Sequence, residues 1–314
     1  MPDRPNARQP RARRALTAWA LLLSSLVVLA IAAVRAEAED VAQEHAGLEL
    51  LGRLEIASGK SLQADGVALI VHGTLAHHGM EIIRDLQANL KRQGINTLAI
   101  TLSLGLNRRT GMFNCMLEHD HRFGDAVEEL SAWSDWLKTR GASRIDIIGH
   151  SRGGAQAALF AVEEPAQVTG KVVLVAPLVE LPPAEAARRY ADQFGGPLAP
   201  AIAAARERED GGQGDMLIDV PGFLNCPQAR VTAGAFLDYY EGSRPGIVEL
   251  LGQITRPTLV VAAGADEMVP GVAEKLGGRS DKVEIATVEG ADHFFLDLYG
   301  EDLAERIAAF LKAN

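Results

Sequence analysis

The chain has 314 residues, 47% hydrophobic and 23% charged, with a formal net charge of −10. Its length fits one large domain or two small ones, and its composition is that of a globular protein able to bury a core. Residues 1–14 hold five arginines and one aspartate, so the remainder is more acidic than the total and lacks the basic footprint that nucleic-acid binding requires.

Arg4, Arg8, Arg11, Arg13 and Arg14 precede an apolar run at 15–34. Val34-Arg35-Ala36 and Ala36-Glu37-Ala38 both offer small residues at the −3 and −1 positions of a cleavage site. Residues 1–36 are therefore expected to be a secretory signal peptide or a retained membrane anchor, since about 20 apolar residues can also span a bilayer. In either case the basic residues stay cytoplasmic and the body is exported: periplasmic, secreted, or anchored facing outside the cytoplasm. Residues 37–47 follow as a polar spacer. Cys115 and Cys226 lie in the exported part, where they either bridge or remain two thiols.

From residue 48 onward, apolar runs alternate with helical patterns. Strands are expected at 48–56, 67–71 and 96–101, and helices at 79–93 and 123–140, with a turn at 60–66 and a loop at 102–122. The run Val67-Ala68-Leu69-Ile70-Val71 is apolar throughout, as in a strand covered on both faces. A strand at 144–148, a helix at 151–164 and a strand at 171–175 continue the alternation. After an interruption at 178–255, strands are expected at 258–262 and 283–288, and a helix at 303–311. Such alternation predicts an α/β fold with a mostly parallel central sheet and helices on both faces. Residues 48–177 and 256–314 make this core. The interruption is too long for an ordinary connection and is expected to be a mostly helical cap over the carboxyl ends of the strands.

Between the strand at 144–148 and the next helix stands Gly149-His150-Ser151-Arg152-Gly153. A serine alcohol becomes a useful nucleophile only with a base to take its proton and donors to stabilise the oxyanion. A tight strand-to-helix turn exposes the hydroxyl, and glycines at both ends permit the strained backbone and the close packing. These residues resemble the nucleophile elbow of the α/β-hydrolase superfamily. The resemblance covers residues 65–177 and 256–313, and it implies that an acid and then a histidine follow the serine, each on a loop after a strand. Asp266 in Gly264-Ala265-Asp266 and His293 in Gly290-Ala291-Asp292-His293 match that order. Asp292, Glu267 and Glu180 are rival carboxylates. The oxyanion hole is expected from the backbone N–H groups of Arg152 and of Thr74, in His72-Gly73-Thr74.

The resemblance implies a serine hydrolase that cleaves a carboxylic ester or thioester through an acyl-enzyme. An amide hydrolase or acyltransferase on the same fold is an alternative, as is a binding protein that has kept the fold without catalysis. An aspartate nucleophile, as in haloalkane dehalogenases and epoxide hydrolases, is disfavoured by the serine. The partner implied is a small acyl substrate, with no cofactor and no metal. His119-Asp120-His121 and His77-His78 could share a metal by residue type, but are read as polar groups lining the site or the surface. Arg108-Arg109 are either contacts for an acidic substrate or solvated. Phe194, Met216, Leu217, Phe223, Leu224, Phe236, Leu237, Tyr239 and Tyr240 either line an apolar pocket over Ser151 or form the cap's own core.

Overall fold

The computed structural model describes Met1 and residues 38–242, 244–277 and 282–313. The signal or anchor expected over 1–36, with its apolar run at 15–34, lies outside the described residues. Strands β1 (Glu39–His45), β2 (Leu48–Glu55), β3 (Val67–Val71), β4 (Thr97–Thr101), β5 (Ile145–His150) and β6 (Val172–Val175) belong to one sheet. It is completed by β9 (Thr258–Ala263) and β10 (Val283–Val288), in the order β1-β2-β4-β3-β5-β6-β9-β10. From β4 to β10 all neighbours are parallel, whereas β1 and β2 are antiparallel additions at one edge. Every residue of β3, β4, β5 and β6 is buried; β3 and β6 accordingly read as unbroken apolar runs, while β4 and β5 also bury Thr97, Thr101, Asp146 and His150.

Strand β1 corrects the expectation of a polar spacer at 37–47. Val41 is its only buried residue, so no hydrophobic alternation marks it in the sequence. Ala46 and Gly47 both take positive φ, the two-residue turn geometry that matches the twist of a hairpin. Of the expected turn at 60–66, residues Leu62–Asp65 form a single helical turn, α1, capped by the Ser61 hydroxyl.

Helices α2 (Glu81–Arg92) and α9 (Leu298–Lys312) cover one face of the sheet, and α3 (Asp125–Thr139) and α4 (Arg152–Glu163) the other. Trp133 and Phe160, both fully buried, fill the layer under α3 and α4, where burying each large side chain contributes about 2–3 kcal/mol. The last helix begins five residues earlier than its apolar stripe at 303–311 predicts, because Leu298 and Tyr299 in its first turn remain exposed.

The insertion contains α5 (Pro183–Phe194), α6 (Leu198–Asp210), α7 (Ala233–Glu241) and α8 (Ile247–Gln253). It also contains a hairpin absent from the sequence reading, β7 (Leu217–Phe223) against β8 (Cys226–Thr232). Pro221 and Pro227 sit inside these strands, and proline argues against a strand unless, as here, the ribbon is narrow and has a free edge. Helix α8 packs on α4 and so belongs with the core, although its residues fall in the stretch 178–255. The loop between β4 and α3 adheres to β8: His119 N–H donates to Arg230 O at 2.9 Å, and Thr232 N–H to His119 O at 2.9 Å.

Cys115 of this loop forms a disulfide with Cys226 at the start of β8, 111 residues away. In the chain-entropy account, closing a loop of that length removes about 4–5 kcal/mol of freedom from the unfolded state. Reduction, or Cys115→Ser, is expected to lower the free energy of unfolding by that order. A urea melt with and without reductant measures it, and coincident midpoints would show that the bridge adds nothing.

Candidate active site

The strand order reverses direction between β3 and β5, so the chain leaving β3 and the chain leaving β5 turn away to opposite sides. Parallel α/β sheets bind ligands at the crevice this leaves at the carboxyl ends of the strands. Here the two departing loops carry Thr74 and Ser151. Ser151 stands between β5 and α4 with φ +57° and ψ −123°, a backbone conformation that costs a non-glycine residue on the order of 1–3 kcal/mol. It is held there from both sides: Ser151 N–H donates to Val175 O at 2.9 Å, and Ser151 O accepts from Gly154 and Leu178. A β-carbon at Gly149 would come within 2.2 Å of Gly153 O, and one at Gly153 within 2.2 Å of His72 O. Both glycines are therefore required by space.

The structure brings Ser151, His293 and Asp266 together. His293 Nε2 lies 2.9 Å from Ser151 Oγ, and His293 Nδ1 lies 2.7 Å from Asp266 Oδ2. The other carboxylate oxygen of Asp266 accepts from the backbone N–H groups of Met268 and Val269, each at 2.8 Å. All three side chains are buried. An ionised Asp266 can only accept, so the proton between it and His293 belongs to Nδ1, leaving the Nε2 lone pair facing the serine hydroxyl. The rival carboxylates are engaged elsewhere or lie outside this run. Glu180 accepts from Ile247 N–H at the start of α8, and Asp292 from Phe294 N–H.

Two further histidines hold the loops. His150 Nε2 donates to His293 O at 2.9 Å, which fixes its tautomer and ties the histidine loop to β5. His72 Nδ1 donates to Gly73 O, and its Nε2 accepts from Leu102 N–H and from Arg109. Arg109 is neither a substrate contact nor solvated: it is buried, donating to the carbonyls of Leu102, Ala76 and Gly111. Arg108 is exposed and pairs with Glu49. Glu129, which no sequence motif singles out, is buried and accepts from both the N–H and the hydroxyl of Ser103. Only its place on the inner stripe of α3, one residue before Leu130, hints at this.

Over Ser151 opens a cavity of about 310 Å³, bounded by Gly73, Thr74 and Arg152 on the core side. The large apolar and aromatic residues of the insertion divide between several fates. Phe194, Leu224, Tyr239 and Tyr240 line the cavity, whereas Phe223 and Phe236 are fully buried in the cap's own core. Met216 is exposed, and Leu217 begins β7. His119 and His121 lie beneath the hairpin, buried among Phe113, Phe223 and Tyr239. His121 Nδ1 is 3.0 Å from the Tyr239 hydroxyl. His78 Nδ1 bonds the Thr101 hydroxyl, and His77 Nδ1 accepts from Gly79 N–H.

This fold, with a serine on a strained strand-to-helix turn and a histidine and an aspartate behind it, is that of the α/β hydrolases. The profile of the Alpha/beta hydrolase family matches residues 68–309, and the chain belongs to that family. Comparison with curated proteins gives no match. Among solved structures it is similar to Est1E from Butyrivibrio proteoclasticus (TM-score 0.61, 18% identity, covering 86% of this chain and 96% of that one). The alpha/beta hydrolase GrgF from Penicillium sp. sh18 gives 0.62 at 20% identity, over 88% and 98%. The esterase Pf2001 of Pyrococcus furiosus gives 0.54 at 19% identity, over 88% and 92%. At such identities the likeness is one of fold.

The buried histidines predict how stability depends on pH. Burial lowers the pKa of His119 and of His150 to about 4 and that of His121 to about 3. An unfolded histidine titrates near 6.5, so from about pH 6.5 down to 5 the unfolded chain takes up protons that the folded one refuses. Glu129 acts in the opposite sense, since burial pushes it up to about 7 and the folded form then holds the extra proton. Those three histidines, with His72, His77 and His78, whose pKa values burial also lowers, outweigh Glu129 and leave a net loss as the pH falls, each group contributing at most about 1.4 kcal/mol per pH unit. The urea midpoint is expected to drop between pH 7 and 5, with a shallower slope in His119→Gln/His121→Gln. A flat profile in the parent protein would contradict neutral, buried imidazoles.

Proposed function

We propose that the protein is a serine hydrolase that cleaves a carboxylic ester or thioester through an acyl-enzyme intermediate. The observation that carries this reading is the hydrogen-bonded run from Ser151 through His293 to Asp266 at the floor of the cavity. His293 Nε2 takes the Ser151 proton as Oγ attacks the substrate carbonyl, and Asp266 stabilises the imidazolium that results. The N–H groups of Thr74 and Arg152 receive the oxyanion of the tetrahedral intermediate. Collapse expels the alcohol or thiol, which leaves with the proton from His293. Water, deprotonated by His293, then attacks the acyl-enzyme, releasing the carboxylic acid and restoring Ser151.

The mouth and walls of the cavity favour an apolar acyl or alkyl group, through Leu178, Leu181, Phe194, Leu224 and Met268. We place the protein outside the cytoplasm, free or anchored through residues 15–34. Support comes from the basic and apolar N-terminal pattern and from the Cys115–Cys226 bridge, a bond that persists in oxidising compartments. Among the described residues no helix is long and apolar enough to cross a membrane.

A fluorophosphonate probe is expected to label the protein and to lose that label in Ser151→Ala; a folded, unlabelled parent protein would refute the reading. Asp266→Asn is expected to lower kcat on a p-nitrophenyl ester by about 10⁴-fold, since it leaves the wrong imidazole tautomer facing the serine. In a series of p-nitrophenyl esters, kcat/KM should be higher for hexanoate than for acetate, and the reverse order would count against an apolar pocket.

A further inference from the structure

Acyl transfer as proposed above uses only the backbone N–H of Arg152, so its side chain is left without a task. That side chain lines the cavity beside Ser151. Its Nε donates to the Thr74 hydroxyl at 3.0 Å, and its guanidinium carbon lies 5.3 Å from the centre of the Tyr239 ring. Nε is therefore occupied and the plane is set, while the outer edge of the fork, with its two terminal nitrogens, is uncommitted. Among the described residues no carboxylate comes within 4 Å of it. Glu180, an acid whose field reaches Arg152, is committed to the N-terminus of α8.

The rest of the lining sharpens the imbalance. A second arginine, Arg189 of α5, borders the cavity with one nitrogen on Met268 O at 2.7 Å. Among the described residues neither aspartate nor glutamate lines it: Asp266 sits behind His293, and the other polar lining residues are serine, threonine, asparagine, glutamine, tyrosine and histidine. This happens in a chain whose formal net charge is −10. A guanidinium partly withdrawn from water without a counter-ion is unfavourable, and burial lowers the Arg152 pKa. Contact with the Tyr239 face offsets part of that cost. The planar fork is suited to a carboxylate held by two parallel N–H···O bonds.

We infer that the substrate is an ester or thioester carrying a second, free acidic group, which pairs with the Arg152 guanidinium while Ser151 attacks the ester carbonyl. The inference rests on the serine-hydrolase reading and assigns Arg152 as a specificity-determining residue. Apolar walls with a cation among them together describe a substrate that carries both a hydrocarbon part and an acid.

The test compares kcat/KM for matched pairs in which a terminal carboxylate replaces a terminal methyl. On the acyl arm the pair is the p-nitrophenyl monoester of adipic acid against p-nitrophenyl hexanoate. On the alcohol arm it is 4-(carboxymethyl)phenyl butanoate against 4-ethylphenyl butanoate. At low ionic strength at least one pair is expected to favour the acid by about tenfold or more, the scale of a charge-assisted contact. Arg152→Gln should bring that ratio down by about tenfold, Arg189→Gln by less, and added salt should reduce it in the unmodified protein. If Arg152 serves only to hold Thr74 and Tyr239, its replacement slows both members of each pair and leaves the ratio unchanged, which overturns the inference. Neutral-ester turnover with no acid preference in either pair also overturns it and leaves the serine-hydrolase reading standing. Loss of both turnover and fluorophosphonate labelling in the unmodified protein removes the two together.

Discussion

The first turn of α4 rests directly on the backbone that leaves β3, with no side chain between them. Gly153 is the point of contact, and a β-carbon there would collide with the His72 carbonyl. This approach has three results at once. It holds Ser151 at the switch point of the sheet, sets the Arg152 and Thr74 backbones on the rim of one cavity, and aims the positive end of the helix at that space. The histidine loop is then added from β10, fastened by the bond from His150 to the His293 carbonyl. The site is thus assembled around one tight backbone contact, with side-chain hydrogen bonds adjusting what it has already placed.

That contact also explains how much could be read from the residues alone. Gly149, Ser151 and Gly153 are dictated by local geometry, and local geometry leaves a pattern in five consecutive letters. Asp266 and His293 each follow a strand apolar enough to recognise, so their order along the chain stands in for their proximity in space. Features set by long-range packing left weaker traces. Strand β1 buries one side chain, β7 and β8 contain prolines, and Glu129 is buried by Ser103 across the gap to the end of β4. Arg109 shows the limit best. Beside Arg108 it looks like surface charge, yet three carbonyls and an imidazole draw it into the interior.

The cap supplies part of the wall of the cavity over Ser151 and none of the Ser151–His293–Asp266 run. Its aromatic residues are divided between packing under the hairpin and facing Ser151, and Tyr239 does both. That ring meets His121 on one side and the Arg152 guanidinium on another. Changes in the buried cluster of His119, His121 and Phe223 therefore have a direct physical route to the part of the cavity nearest Ser151.

The hairpin is joined to the core loop at several points: the Cys115–Cys226 bridge, the backbone bonds of His119, and the bond from the Thr232 hydroxyl to Asp120. A roof bolted along one eave cannot be lifted away as a whole. Leu224 and Asn225, the hairpin's share of the cavity wall, thus adjoin a covalent tie, whereas α5 and the loops after β3 and β9 line the cavity with no disulfide among the described residues.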